Sequence, residues 1–147
     1  MGQSKDMTDS TRQKRFERDY RIRFAHCDPA GIIFFPQYLV LFNNLVEDWM
    51  TEGLGIPYAE FFATRRVGLP TVHLECDFVA ISRLGETVTF GLAVERVGTK
   101  SLSLTLDAGV AGQMRVRAQQ VLVFTDLDTH QAIAIPDDVR AALPAAA

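Results

Sequence analysis

The stretch that decides the fold is PQYLVLFNNLVEDWMTEG, residues 36–53. Its apolar side chains recur at spacings of three and four, which predicts an α-helix with a broad apolar face from Pro36 to about Glu52. Pro36 suits the first helical position, and Gly53 is a natural stop. Because few polar residues interrupt the stretch, we expect this helix to be covered over most of its surface. Its apolar face consists of Tyr38, Leu39, Phe42, Leu45, Val46, Trp49 and Met50.

On either side of this helix the pattern is mostly that of strands. A first strand is expected from Phe16 to near Ala25, because apolar residues alternate there with charged ones. A short helix is expected over Tyr58–Arg66. Everything after Pro70 alternates again, with breaks at glycines. The expected elements there are strands over 71–81, 86–97, 99–110, 114–126 and 132–135, and a helical tail that begins at Pro136.

This order of elements predicts an α+β fold, in which a curved antiparallel sheet of five to six strands wraps around one long central helix. The 147 residues suit a single domain. We expect that domain over residues 16–140, with a polar tail over 1–15 and a C-terminal tail over 141–147.

Composition excludes several classes of function. Hydrophobic residues make up 48% of the chain and charged residues 22%, as in ordinary soluble domains. The formal net charge of −3 does not favour nucleic acid or an anionic membrane as a partner. No stretch approaches the length of a membrane span, and Cys27 and Cys76 fit neither a disulfide framework nor a metal site. A cytoplasmic location is therefore expected.

The residues just before the helix, HCDPAGIIFF at 26–35, place one carboxylate in front of an apolar run. Asp28 before Pro-Ala-Gly is typical of a turn residue that accepts a backbone N–H. It can equally act beside a helix start, where unpaired N–H groups stabilise a negatively charged oxygen. His26, Cys27 and Asp28 do not form a triad, because neighbours on an extended segment point to opposite faces. Cys27 is interpreted as a packing residue. His26 is interpreted as a structural residue that can also assist Asp28.

The stretch FAHCDPAGIIFFPQYL, residues 24–39, together with the order of elements, resembles the hot-dog fold of the 4-hydroxybenzoyl-CoA thioesterase-like acyl-CoA thioesterases. The likeness covers Phe16 to about Val139. Further matches are VGLP at 67–70, the pair Lys100-Ser101, and AIAIPDDV at 132–139.

The resemblance implies a catalytic site in the Asp28 loop. Asp28 would attack the thioester carbonyl or activate water, Gly31 would shape the loop, and the backbone N–H of Phe35 would polarise the carbonyl oxygen. A carboxylate near a helix start tends to have a lowered pKa, which makes it a weak base and favours its role as nucleophile. An apolar pocket would raise that pKa again and restore the role of base, so both roles stay open.

The resemblance also implies how substrate is bound. Phe34, Phe35, Tyr38, Phe42 or Trp49 would line the acyl pocket. Val67, Gly68 and His73 would form a second wall, supplied by the neighbouring subunit of a homodimer that joins sheets edge to edge and pairs into a homotetramer. His73 and Glu75 share one face of a strand, but two residues are weak evidence for a metal site. Neither a metal nor an organic cofactor is expected.

Coenzyme A carries phosphates, so an acidic protein that binds it needs local cations. Lys100, Ser101 and Arg83 are the first candidates. The chain departs from the family here, because Gly98-Thr99 stand where the family enzyme has two arginines. Further basic candidates are Arg65, Arg66 and Arg96.

The function expected from these residues is hydrolysis of an aryl- or small-to-medium acyl-CoA thioester. One alternative is a hot-dog hydratase or dehydratase, which would need His26 or His73 as a base. Another is a module that binds acyl-CoA without catalysis.

Overall fold

The computed structural model describes residues 15–144, with the strands and helices of an α+β fold. Five strands and one long helix account for most of it, as expected from the sequence. The elements are β1 (Phe16–Arg21), α1 (Pro36–Asp48), α2 (Tyr58–Ala63), β2 (Val67–Gly68), β3 (Thr71–Phe78), β4 (Thr87–Val97), β5 (Ser101–Val110), β6 (Gln113–Val123), β7 (Thr125–Asp126) and α3 (Asp137–Ala142).

The main sheet has the strand order β1-β4-β5-β6-β3 and is antiparallel throughout. β1 and β3 are its two edges. β2 and β7 pair separately as a small ribbon. Because consecutive strands alternate in direction, the start of β3 lies at the same end of the sheet as the β4–β5 turn, and the end of β3 lies at the opposite end.

The core lies between α1 and the concave face of the sheet. Alternate residues of β4, β5 and β6 point into it, among them Phe90, Leu104 and Val116, each fully buried. Five residues of α1 are buried against them, although Val40 on the other side of the helix is 47% exposed. The helix is therefore apolar on a wide face but open along one side.

The first strand is shorter than predicted. It ends at Arg21, and a 3-10 turn over Phe24–His26 replaces the expected continuation to Ala25. Phe24, assigned by alternation to the inner face, is 83% exposed. Its position changes because the Ile22 N–H donates to the Glu86 carbonyl and the chain then leaves the sheet.

The C-terminal ends of the first two helices also differ from prediction. The α-helix stops at Asp48, and a single wide turn carries the chain through Trp49–Gly53, with the Leu54 N–H bonded to the Trp49 carbonyl. Gly53 is nevertheless the last residue of that turn, as expected. A Cβ there would lie 2.8 Å from Trp49 Cδ1, so the site requires glycine. The second helix ends at Ala63 rather than Arg66, whose φ of 56° is incompatible with a right-handed helix.

Two strand predictions after Pro70 are wrong in their ends. β3 stops at Phe78 instead of Ile81, because the N–H groups of Val79 and Ala80 both turn to the Arg115 carbonyl. The strand expected over 114–126 is broken at Phe124 into β6 and β7. The expected last strand over 132–135 is not a strand, since only Ala132 makes an isolated bridge, to Thr125.

The terminal tails fall mostly outside the described residues, which exclude 1–14 and 145–147. Helix α3 runs to Ala142, two residues beyond the domain end expected at 140. Within the described part of the chain, no helix is both long and apolar enough to cross a membrane.

Candidate active site

The residues around Asp28 form a tight hairpin that leads directly into α1. The Asp28 N–H donates to the Ile32 carbonyl at 3.0 Å, and the Phe34 N–H donates to the His26 carbonyl at 2.9 Å. Gly31 closes the turn with φ of +77°, a conformation that an L-residue adopts only with strain. The hairpin therefore fixes the position of Asp28 relative to the start of the helix.

The Asp28 side chain holds its own turn with one oxygen. Oδ1 accepts the Ala30 N–H at 2.9 Å, as expected for the turn interpretation. Oδ2 has no hydrogen-bond partner among residues 15–144, and the residue is half-buried. One carboxylate oxygen is thus held by the turn, while the other is not used by it.

The first amide of α1 is available as a donor. Phe35 precedes Pro36 in helical conformation, without a side-chain cap. No acceptor for the Phe35 N–H is found among the described residues, and Pro36 has no N–H. An uncapped helix N-terminus with its positive dipole end suits a developing negative charge.

Aromatic side chains surround the helix start. Phe34 and Phe35 pack with ring centroids 5.4 Å apart, and Phe35 meets Phe78 at the end of β3 at 5.6 Å. Phe34 and Phe35 remain 50% and 56% exposed. In a single chain, Phe34 and Phe35, two of the predicted acyl-binding residues, therefore form an open apolar surface.

Tyr38 differs from this prediction, because its hydroxyl is engaged in the interior. The residue is 3% exposed and its O–H donates to Ser82 Oγ at 2.7 Å. Burial raises the pKa of Tyr38, so the phenol stays protonated. Phe42 and Trp49 are also buried and belong to the core.

A buried polar network that the sequence did not indicate lies beneath the hairpin. Arg115, 7% exposed, forms two 3.0 Å hydrogen bonds to the Glu86 carboxylate and donates to the Ile81 carbonyl and to Ser82 Oγ. The segment that it holds is bonded in turn to the hairpin, through Ile33 N–H to Ser82 carbonyl. The Arg115 guanidinium and the Arg83 N–H lower the pKa of Glu86.

His26 and Cys27 take structural positions. Nδ1 of His26 accepts the Arg23 N–H at 2.8 Å, and burial, helped by the charge of Arg23, lowers the pKa of the imidazole. Cys27 is half-buried, with Sγ 3.4 Å from the Arg23 carbonyl oxygen. Neither side chain has an arrangement that would activate it as a base or a nucleophile.

The residues predicted to form the second wall of the substrate site lie at the end of the sheet that is farther from the Asp28 hairpin. Val67 and Gly68 are buried in the β2–β7 ribbon, and His73 is near the start of β3, with Nε2 3.2 Å from Glu75 Oε1. Phe78, which contacts the helix start, is at the end of β3, five residues or about 17 Å from His73 along the strand. One chain therefore does not bring these residues to Asp28.

The predicted coenzyme A residues are divided in the same way. Arg83 forms a bridge with Ile32 and lies beside the hairpin. Lys100 lies in the β4–β5 turn and Ser101 is the first residue of β5, so both are at the far end with His73. Arg65 and Arg66 are paired with Asp138 and Asp128. Over residues 15–144, Arg83, Arg96 and Lys100 are not in an ion pair and keep their charge available.

No group of three or more potential metal-ligating side chains occurs in the described part of the chain. The His73–Glu75 contact is an exposed pair of two residues on one strand.

Comparison with known proteins identifies the family. A profile of the Thioesterase-like superfamily matches residues 22–143, so the chain belongs to this superfamily. A 1,4-dihydroxy-2-naphthoyl-CoA hydrolase of Nostoc punctiforme is 24% identical over 124 residues, 84% of this chain and 83% of that protein. The 4-hydroxybenzoyl-CoA thioesterase of Pseudomonas sp. is 28% identical over 127 residues, 80% of this chain and 89% of that one.

Solved structures agree on the fold. A gentisyl-coenzyme A thioesterase superposes with a TM-score of 0.80 at 25% identity, over 88% of this chain and 100% of that one. A 1,4-dihydroxy-2-naphthoyl-CoA thioesterase from Synechocystis gives 0.79 at 21% identity, over 88% and 96%. The hot-dog fold and the resemblance stated above are confirmed, and the chain is a thioester hydrolase.

Proposed function

We propose that this protein hydrolyses an aryl- or small-to-medium acyl-CoA thioester to the free acid and coenzyme A, with Asp28 and the Phe35 N–H as the reacting centre. The observation that carries the proposal is the hairpin. Among the described residues, the hairpin leaves Oδ2 of Asp28 and the Phe35 N–H, just before α1, without hydrogen-bond partners. Both groups belong to the same short stretch of paired backbone. The names of the relatives support a coenzyme A thioester of an aromatic acid as substrate.

The spacing suits a thioester between the two groups. Counted along the paired backbone of the hairpin, the Phe35 amide lies two to three residues, or about 8 Å, from Asp28. A carbonyl oxygen held about 3 Å from an N–H, with its carbon about 3 Å from an attacking oxygen, spans a gap of that order. The helix dipole then stabilises the oxyanion.

We favour Asp28 as nucleophile. Its Oδ1 is already bound to the Ala30 N–H, which leaves Oδ2 as the oxygen that can approach a carbonyl carbon directly, and a carboxylate nucleophile needs only to be close to that carbon. Attack by Oδ2 forms an acyl-aspartyl anhydride and releases the coenzyme A thiolate. Water then adds to the anhydride, and the free acid leaves with Asp28 restored.

A dimer would complete the site. β3 is an edge strand whose side chains Val72, Leu74 and Phe78 are 59%, 39% and 47% exposed, an apolar face without cover in one chain. Antiparallel pairing of β3 with its copy would place the start of one strand opposite the end of the other. Val67, Gly68, His73 and Lys100 of one subunit would then approach the Asp28 hairpin of its partner.

The alternative hydratase needs a histidine base, and the surroundings of both candidates argue against it. His26 uses Nδ1 to accept a backbone N–H, and His73 is exposed beside Glu75. Retention of activity on an enoyl-CoA by an Asp28→Asn variant would support that alternative.

The first test is thiol release by the Asp28→Asn and Cys27→Ala variants. The asparagine Oδ1 can still accept the Ala30 N–H, so the turn should persist while the rate falls by about 10²–10⁴-fold. Cys27→Ala, the neighbouring control, should keep most activity. Equal loss in both variants would show that the hairpin is merely disrupted and would remove Asp28 from its role.

Single turnover in heavy-oxygen water tests the anhydride route. Label in the Asp28 carboxylate is expected if water adds to the Asp28 carbonyl carbon of the anhydride. Label found only in the product acid would place the attack of water on the acyl carbon, either of the thioester with Asp28 as base or of the anhydride. A panel of benzoyl-, phenylacetyl-, short-chain and long-chain acyl-CoA substrates then defines the acyl group, and binding without thiol release by every member would favour the non-catalytic module.

A further inference from the structure

We infer that Gln120 is a specificity-determining residue that reads an uncharged hydroxyl group on the acyl part of the substrate. This inference rests on the proposed function and goes beyond it, because it names a recognition group away from the reacting centre. Gln120 lies on β6, 5% exposed, facing α1 across the concave side of the sheet.

The first observation is an unsatisfied amide. The Nε2 of Gln120 donates to Thr71 Oγ1 at 2.8 Å, whereas Oε1 is buried without a hydrogen-bond partner. It is the one buried side-chain polar atom in that condition within the described residues. A buried polar group without a partner is destabilising, so a ligand group that pairs with Oε1 would gain a hydrogen bond without displacing another one.

The second observation is a cavity at that amide. A space of about 160 Å³ lies between α1 and the start of β3, and its walls are mostly apolar. A larger, more polar space of about 410 Å³, lined among others by Glu47 and Tyr58, lies beside it. Gln120, Thr71 and Asn43 line both spaces. The smaller space is bounded further by Leu39, Phe42, Leu74 and Leu106.

The position of this cavity relates it to the reacting centre. Leu39 and Asn43 follow Phe35 at intervals of four residues, so all three lie on one face of α1. From Phe35 to Asn43 the helix rises by about 12 Å, and a hydrogen bond of about 3 Å at each end leaves roughly 6 Å. One aromatic ring with a hydroxyl opposite its acyl carbon fills such a gap.

Charge and hydrogen bonding indicate which substituent of the acyl group Gln120 would recognise. A hydroxyl both donates and accepts, so it pairs with the free amide atom in either orientation of the Gln120 side chain. An apolar substituent leaves that atom unpaired. A carboxylate substituent is disfavoured, because Glu47 lines the adjoining space with a like charge.

The test compares two substrates in two variants. Thiol release from 4-hydroxybenzoyl-CoA and from benzoyl-CoA is measured for the full chain and for Gln120→Met, which keeps the side-chain volume and removes the amide. The ratio of kcat/KM for the hydroxylated over the plain substrate should fall about tenfold or more in Gln120→Met. Gln119→Met is the matched control, since its side chain is exposed on the opposite face of the same strand, and its ratio should not change.

Binding of the same two substrates to Asp28→Asn and to Asp28→Asn/Gln120→Met, measured by calorimetry, separates this inference from the proposed function. Loss of hydroxyl preference in binding supports the role of Gln120, even if the wild-type chain released no thiol. Thiol release with an unchanged ratio in Gln120→Met overturns the inference and leaves the hydrolase proposal intact. Failure to bind either substrate overturns both.

Discussion

At the scale of single residues, the Asp28 side chain holds the turn of its hairpin, and the proposed function gives the same side chain a chemical role. Oδ1 holds the turn through Ala30, and this bond keeps Oδ2 from rotating freely. The residue was open to both interpretations from its sequence, as a turn residue and as a reacting group. The geometry makes the two roles compatible, because they use different oxygens.

Gly31 permits a test of how much the turn itself contributes. Its φ is +77°, and a Cβ added there would meet nothing within 4 Å, so Gly31→Ala introduces backbone strain without a clash. We expect a loss of about 1 kcal/mol in the free energy of unfolding. We also expect a fall in kcat, since a distorted hairpin moves Asp28 away from the Phe35 amide.

Gly112 provides the control, because its φ is +80° and its surroundings are equally open, in the β5–β6 turn far from α1 in sequence. Gly112→Ala should lower the midpoint of urea unfolding to a similar extent and leave kcat unchanged. A similar fall of kcat in both variants would mean that activity follows global stability rather than the hairpin.

At the scale of elements, the types of helix and strand could be predicted, but several of their ends could not. The period of residues 36–53 indicates the helix because burial of one face repeats every three to four residues. β3 ends at Phe78 because the carbonyl of Arg115 takes two N–H groups from the next residues. Such a bond joins positions more than thirty residues apart, and no local pattern reports it.

The buried Arg115–Glu86 pair was hidden from the sequence for the same reason. Its members are 29 residues apart and look like surface charges. The pair connects β6 to the loop before β4, and Ser82 in that loop links it to Tyr38 of α1. The hairpin, the helix start and the sheet are thereby held in one frame.

This pair predicts a pH dependence of stability. Arg115 holds the pKa of Glu86 below its ordinary value near 4.5, so the pair stabilises the fold above that pH and less as the pH falls through the lowered pKa. Glu86→Gln should unfold more easily by about 1–2 kcal/mol at pH 7. The difference from wild type should shrink on acidification, as measured by urea unfolding at a series of pH values.

Glu95→Gln, an exposed glutamate of β4, is the control and should leave the pH profile as in wild type. If Glu86→Gln lowered stability equally at pH 7 and pH 3, the ion pair would not be the cause.

At the scale of the whole molecule, the exposed apolar face of β3 bears on the proposal that a second subunit completes the site. Leu74 lies near the middle of this edge strand and is 39% exposed. Leu74→Glu would place two carboxylates close together in a β3-paired dimer, at a cost that should dissociate it. We expect a monomer in sedimentation velocity, with the far-ultraviolet circular dichroism of the wild type. Because Leu74 also bounds the cavity beside Gln120, the sedimentation result and not a loss of thiol release decides this prediction.

Phe62→Glu is the control for Leu74→Glu, because it also places a glutamate at an exposed apolar position. Phe62 lies on α2, away from β3, and is 48% exposed. It should remain a dimer and stay active. A monomeric Leu74→Glu protein with full activity would show that one chain suffices for catalysis.

The sequence indicates candidate site residues, but it does not indicate how they are arranged in the fold. The hairpin residues could be found because they are neighbours in the chain. The division of Val67, His73 and Lys100 from Asp28 depends on strand order, which emerges only once β3 is placed at the edge. Gln120 escaped notice because a glutamine in a strand has no pattern that distinguishes a buried position from an exposed one.

That division has a genetic consequence. If each reacting centre draws Asp28 from one subunit and Lys100 from the other, a chain damaged only at Asp28 and a chain damaged only at Lys100 can rescue each other. Half of the centres in a mixed pair would combine two intact contributions, while the other half would carry both defects. Co-expression of two silent alleles would then restore turnover that neither allele has alone.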